Sequence, residues 1–211
     1  MDALYFFKEG GPIMWPLLLA SITALTVVIE RIFFMLGEMR SRDPKAVEKM
    51  LFKAKIGETA KALEIGKASR DCVAKVLVAG LEHEDEESLS DVLMHTASQE
   101  LKRYERGLVV LDTIITLAPL LGLLGTVTGM IHAFGLLVDQ ELGSPMAITG
   151  GIAEALIATA FGLGIAITAL IPFNGLNALF EKTRHRVESA ATRLELMTRK
   201  IKTYENNQYV R

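Results

Sequence analysis

Apolar positions in this chain follow two regimes. Over residues 12–36, 108–138 and 148–180 they run almost without interruption. Over residues 41–106 and beyond 181 they recur every three or four positions among charges. The runs read PIMWPLLLASITALTVVIERIFFML, LVVLDTIITLAPLLGLLGTVTGMIHAFGLLV and ITGGIAEALIATAFGLGIAITALIPFNGLNALF. A helix needs about 20 mostly apolar residues to cross a hydrocarbon core about 30 Å thick, and each run is long enough. A buried hairpin in a soluble helical protein would also be apolar, but 211 residues leave too little other chain to cover one. The pattern predicts an all-α, polytopic membrane protein with three transmembrane helices.

The intervening polar segment reads as helices. Asp43 and Pro44 form a helix start, with Asp as cap and Pro in the first turn. Val47, Met50, Leu51 and Ala54 then follow at helical spacing. Gly57 punctuates, Thr59 to Ile65 is a second short helix, and Gly66 is expected to end it. Val73, Val76, Leu77, Gly80 and Leu81 form another stripe. The acidic run from Glu82 to Glu87 reads as a solvated turn, and Ser88 with Asp91 as a capping box. Leu89, Leu93, Ala97, Leu101, Tyr104 and Leu108 mark one face of the next helix. With no proline before Pro119, that helix is expected to continue unbroken into the second span.

Segment boundaries follow: 1–12 a short periplasmic or interfacial lead-in, expected to be helical around Leu4 to Phe7 and broken by Gly10, Gly11 and Pro12; 13–36 the first span; 37–107 a cytoplasmic helical domain; 108–138 the second span; 139–147 a short periplasmic loop; 148–178 the third span; and 179–211 a charged amphipathic cytoplasmic helix. Orientation comes from charge. Arg40, Arg42 and Lys45 follow the first span, Lys102, Arg103 and Arg106 precede the second, and Lys182, Arg184 and Arg186 follow the third. These basic flanks share one side, which the positive-inside rule makes cytoplasmic, so the N-terminus is expected outside and the C-terminus inside. Trp15 suits the interface, and Glu30 with Arg31 can pair or snorkel near a membrane surface.

Overall composition adds little, because 50% apolar and 23% charged residues resemble a soluble protein while the charges are segregated. Lys8 beside Asp2 and Glu9, with no small-residue cleavage site, argues against a cleavable signal peptide. The single cysteine, Cys72, cannot form an intrachain disulfide and reads as a packing residue. His83, His95, His132 and His185 match no metal spacing, so no metal or cofactor is expected. No cluster of bases lies beside aromatics, so nucleic acid is not expected as a partner. No nucleophile–base set or phosphate loop is present, which argues against an enzyme.

What remains is the chemistry of the last two runs. Ala118, Gly122, Gly125, Gly129 and Ala133 line one side of the second, and Gly151, Ala155, Ala158, Gly162 and Ala166 one side of the third. Spacings of three and four put each set on one helix face, suited to close backbone approach. Packing does not need Glu154, Thr126 or Thr159. Thr159 follows Glu154 by five residues, about 140° around the axis, so the two can line adjoining parts of one interior surface. A carboxylate with hydroxyls nearby is what an ion or proton path requires. A threonine bonded back to its own helix, or a structural hydrogen bond, is the plainer alternative. Asp112 reads as a charge at the cytoplasmic end of the second span.

LAPLLGLLGTVTGMIHAF followed by GGIAEALIATAFGLGIAI resembles the signature of the ExbB/TolQ/MotA proton-channel family, and GGPIMWPLLLASITALTVVIER resembles the opening of its ExbB and TolQ branches. MotA-like members typically have four spans, so three favour the ExbB and TolQ branches, and the compact length with GGPIMWPLLL favours the ExbB-like one. The resemblance implies that Thr126 and Thr159 line a central pore and that Glu154 is the membrane glutamate of proton-driven function. Pro119 and Gly125 match motif positions and are geometric. It further implies a homopentamer in a bacterial inner membrane. A dimer of an ExbD-like single-span partner sits in the pore and supplies an aspartate, and a TonB-like protein docks outside. The implied function is conversion of proton motive force into work for import of iron-siderophores or cobalamin across the outer membrane. A TolQ-like role in envelope integrity and a non-conducting scaffold are the alternatives. A closed ring is expected on physical grounds too, with the small-residue faces packing around an axis and the Leu89–Tyr104 face packing between subunits.

Overall fold

The computed structural model describes residues 7, 9–83, 89–138 and 145–209, with side chains described for all of these except 136–138, 145–148 and 200–209. Ser88 and the linker residues 139–144 lie outside the described residues, as does most of the expected lead-in helix around Leu4 to Phe7. The described residues form helices and no strands: α1 (Met14–Arg40), α2 (Pro44–Lys55), α3 (Thr59–Ala68), α4 (Cys72–Glu82), α5 (Leu89–Glu105), α6 (Leu108–Val138) and α7 (Pro145–Tyr209). Three of them, α1, α6 and α7, are long and apolar enough to cross a membrane. The all-α fold with three helices of spanning length expected from the sequence is therefore present among the described residues.

The chain divides into two compact units, one of residues 1–31 with 107–176 and one of residues 32–106 with 177–211. In the first, size is inverted relative to a soluble core. The bulky side chains Trp15, Leu19, Leu120, Ile131, Leu156 and Ile171 are exposed, while Ala118, Ala133, Ala155 and Ala158 are buried. Lipid offers no hydrophobic driving force between helices, so small residues that allow backbones to touch go inside. Met14 and Leu17 are buried against Ala118, with Phe7, Ile13, Leu121 and Ile165 around them. Phe7 and Trp15 meet edge to face at 5.3 Å.

The expected unbroken helix from the polar segment into the second span is not present. Helix α5 ends at Glu105 and α6 begins at Leu108, because Gly107 adopts φ +87°. A glycine in this left-handed conformation ends a helix at no steric cost. Its missing side chain has a second use: a Cβ there would lie 3.0 Å from Arg31 Cδ and 3.2 Å from its Cγ and Nε. Arg31 is 5% exposed and forms a two-pronged ion pair with Glu30, as the sequence suggested.

The second unit is built around Met50, Leu51, Val73, Val76, Leu77, Val187 and Leu194, all buried. The predicted cap is present: Asp43 accepts a hydrogen bond from the Ala46 N–H at 2.9 Å, with Pro44 opening α2. Gly66 does not end α3, which runs on to Ala68. Gly66 is buried instead, where a Cβ would meet Met50 and Val78. Leu89, Leu93, Ala97 and Tyr104 are buried within the chain, so this face is not free to pack between subunits. Leu93 fills the space left by Gly80, 2.6 Å from where a Cβ would stand.

Asp71, which the sequence did not single out, joins distant segments. It is 1% exposed. Its Oδ1 accepts from the Val73 N–H at 2.9 Å, capping α4. Its Oδ2 accepts from the Asp43 N–H at 2.9 Å and from Arg186 Nη2 at 3.0 Å. Beside it, Tyr104 donates to Glu38 Oε2 at 2.8 Å and meets Phe34 edge to face. Burial raises the Tyr104 phenol well above its ordinary range, with Cys72 and Glu38 adding to the shift.

Cys72 is the packing residue the sequence suggested, buried at 4% exposure. Burial raises its thiol above the ordinary range, and the Asp71 charge adds to this against a hydrogen bond with Tyr104. The thiolate is the reactive form, so Cys72 is expected to resist N-ethylmaleimide at about pH 8 in the folded protein and to react fully after denaturation. Mass spectrometry reads the result, and complete labelling of the folded protein would contradict this packing.

Candidate functional site

The site is assembled where α6 and α7 approach through their backbones. A Cβ on Gly122 would lie 3.0 Å from Thr159 Cα and 3.1 Å from the Ala158 carbonyl oxygen. One on Gly162 would lie 2.5 Å from the Ala118 carbonyl oxygen, and one on Gly125 would lie 2.5 Å from Ala158 Cβ. Further along, Gly129 opposes Ala155 and the Gly151 carbonyl at 3.1 Å, and Gly151 opposes Ala133 Cβ at 2.5 Å. The small-residue faces therefore meet each other within one chain, so they no longer stand as a physical ground for a ring. Pro119 lies inside α6, half-buried, and the helix continues through it.

The three polar residues singled out from the sequence make different contacts. Thr126 donates to the Leu123 carbonyl of its own helix at 2.7 Å. Thr159 donates across the interface to the Gly122 carbonyl at 3.0 Å. That bond is possible because Gly122 lets the two backbones close. Glu154 is half-buried and faces the N-terminal turn, where a Cβ on Gly11 would overlap its Oε1 and lie 2.7 Å from its Cδ. Thr159 thus bonds to α6, while Glu154 lies against the segment before α1. Asp112 is exposed. Among the described residues no cluster of His, Cys, Asp or Glu could hold a metal ion.

The fold and site define a class: a polytopic helical membrane protein with a half-buried carboxylate in a span packed through small residues. A carboxylate within so apolar a helix is costly to keep there. The chain belongs to the MotA/TolQ/ExbB proton channel family, whose model matches residues 68–189. The putative biopolymer transport protein ExbB-like 1 of Synechocystis sp. is 39% identical over 96% of this chain and 81% of its own length. An ExbB homolog of Methanothermobacter thermautotrophicus, also described as a putative biopolymer transport protein, is 29% identical over 92% of this chain and 67% of its own. The Tol-Pal system protein TolQ of Haemophilus influenzae is 40% identical over 38% of this chain and 35% of its own. The chain thus falls in the ExbB-like branch of a family of transport proteins rather than enzymes, and is an inner-membrane protein.

Proposed function

We propose that this protein is the proton-channel subunit that converts proton motive force into mechanical work on a periplasm-spanning TonB-like protein, driving outer-membrane import of iron-siderophores or cobalamin. Its N-terminus is periplasmic and its C-terminus cytoplasmic. Five copies surround a dimer of an ExbD-like single-span protein, and the TonB-like protein docks outside the ring. The observation that carries the reading is Glu154, a half-buried carboxylate within an apolar span. One elementary charge crossing the membrane releases about 2.3 kcal/mol per 100 mV, so a group that gains and loses a proton at this depth can couple the gradient to motion. Glu154 handles the proton, Thr126 and Thr159 supply hydroxyls along its path, and the single-span partner supplies the second carboxylate.

Reconstitution in proteoliposomes with the single-span partner tests this. Under an imposed potential, flux is expected to depend on the partner and to vanish in Glu154→Ala and Thr159→Ala, with membrane insertion intact. Thr159→Ser keeps the hydroxyl and is expected to retain flux. Partner-independent absence of flux would move the reading to a non-conducting scaffold. A TolQ-like role in envelope integrity draws on the likeness to the Haemophilus influenzae protein. A deletion strain that keeps siderophore uptake but leaks periplasmic protein would favour that second role.

A further inference from the structure

The double glycine before α1 does more than make a turn. Gly11 adopts φ +71°. The turn is held in place from the helix side, where the Met14 N–H donates to the Gly11 carbonyl at 3.1 Å and the Trp15 N–H to the Pro12 carbonyl at 3.3 Å. It is also held from the bundle side. Met14 and Leu17 are buried against Ala118, and Ile13 Cγ2 lies 3.5 Å from where a Cβ on Gly125 would stand. Helix α7 fills the remaining side. A Cβ on Gly10 would lie 3.1 Å from Ile157 Cγ2, and one on Gly11 would overlap Glu154 Oε1 and lie 2.7 Å from Cδ and 3.1 Å from Cγ.

We infer that Gly11 is a positioning residue for Glu154: its missing side chain leaves the volume in which the carboxylate sits, and the anchored turn fixes where that carboxylate points. The inference rests on the reading of Glu154 as the proton-handling group. Alanine at this position would have two effects, backbone strain at positive φ and displacement of the carboxylate. They can be separated. Gly57 adopts φ +79° with nothing within 4 Å, so Gly57→Ala brings the strain without the displacement. Glu154→Asp withdraws the carboxylate by one methylene and frees the space a methyl group would take.

The experiment uses the full-length protein with its partner in proteoliposomes and has two readouts. One is proton flux under an imposed potential. The other is the rate at which a hydrophobic carbodiimide modifies Glu154, followed by mass spectrometry; the protonated carboxyl adds across a C=N bond and nothing leaves. Gly11→Ala is expected to abolish flux and to move the rate of carbodiimide modification away from the wild-type value, because the carboxylate is pushed out of its half-buried seat and its protonation and access both change. Gly57→Ala is expected to leave both at the wild-type level. Combining Gly11→Ala with Glu154→Asp is expected to give more flux than either change alone. If Gly11→Ala prevents insertion, restored insertion in the double variant carries the same meaning. A wild-type carbodiimide rate in Gly11→Ala, or no recovery in the double variant, overturns the inference. Wild-type flux in Glu154→Ala would instead sink the functional reading and leave the carbodiimide comparison as the test of positioning.

Discussion

Replacing Asp71 with alanine is expected to unfold the polar helical unit, although the residue lies far in sequence from the membrane runs. The carboxylate is buried and accepts three bonds, from Val73, Asp43 and Arg186. Alanine removes the α4 cap, which costs about 0.5–2 kcal/mol. It also strands Arg186; breaking a fully buried pair from one side costs about 3–5 kcal/mol, and the loss here is smaller because the Arg186 side chain keeps 22% exposure. Losses of this size consume a large share of the stability of an ordinary domain. Asp71→Asn keeps acceptor capacity without charge and is expected to fall between. Glu48→Ala is the comparison: its ion pair with Arg193 spans 2.8 Å, but the Glu48 side chain is 64% exposed. Arg193 holds the Glu48 carboxyl below its ordinary range through a hydrogen bond. A depressed carboxyl favours folding above the ordinary carboxylate range, and that contribution is lost as pH falls through the folded value. Water screens such a pair to about 0–1 kcal/mol, so Glu48→Ala is expected to behave almost as wild type. Melting temperature in detergent, with trypsin sensitivity of residues 44–105, measures the order. Equal melting of Asp71→Ala and Glu48→Ala would show that Asp71 does not join the unit.

The second large effect is expected at Gly162, and its sign should reverse two residues along the helix. A methyl at Gly162 would meet the Ala118 carbonyl oxygen at 2.5 Å and Gly122 Cα and N at 3.1 and 3.2 Å. All three are backbone atoms and none can rotate away. Overpacking costs about 1–3 kcal/mol even where side chains can yield, so Gly162→Ala is expected at or above that range. Gly162→Val should separate α6 from α7. At Gly164 a methyl meets nothing within 4 Å. There the change to alanine relieves the entropic cost of a helical glycine, about 0.5–1 kcal/mol, and should leave stability equal or raised. Thermal stability and monodispersity in detergent distinguish the two. Equal behaviour would contradict the close approach of α6 and α7.

The sequence carried the elements whose cause is local. Run length announced α1, α6 and α7, the Asp43–Pro44 pair announced the start of α2, and small residues at helical spacing announced close helix packing, though not that the two faces meet within one chain. The features it hid depend on partners far along the chain. Asp71 meets Asp43 and Arg186 across 28 and 115 positions, and no local pattern marks it. Gly107 and Gly66 are both glycines near helical stretches, yet one ends a helix at positive φ and the other makes room for Met50 and Val78. Nothing beside them in sequence tells the two uses apart. Periodicity showed the face formed by Leu89, Leu93, Ala97 and Tyr104, but a stripe does not say what covers it, and the chain covers it itself. Gly10 and Gly11 read as breakers; their place against Ile157 and Glu154 needed the tertiary fold.

The contact between α6 and α7 also bears on how this part of the molecule can move. Side-chain interfaces yield by rotamer hops, on picosecond to nanosecond timescales for exposed groups. Glycine and alanine have no rotamers to hop, so Gly122, Gly125, Gly129, Gly151, Ala155 and Gly162 offer no soft degree of freedom along the seam. Thr159 adds a tie to the Gly122 carbonyl. A torque applied to either helix would therefore turn both as one stiff plate, and compliance would have to come from the segments that join the plate to the rest of the chain.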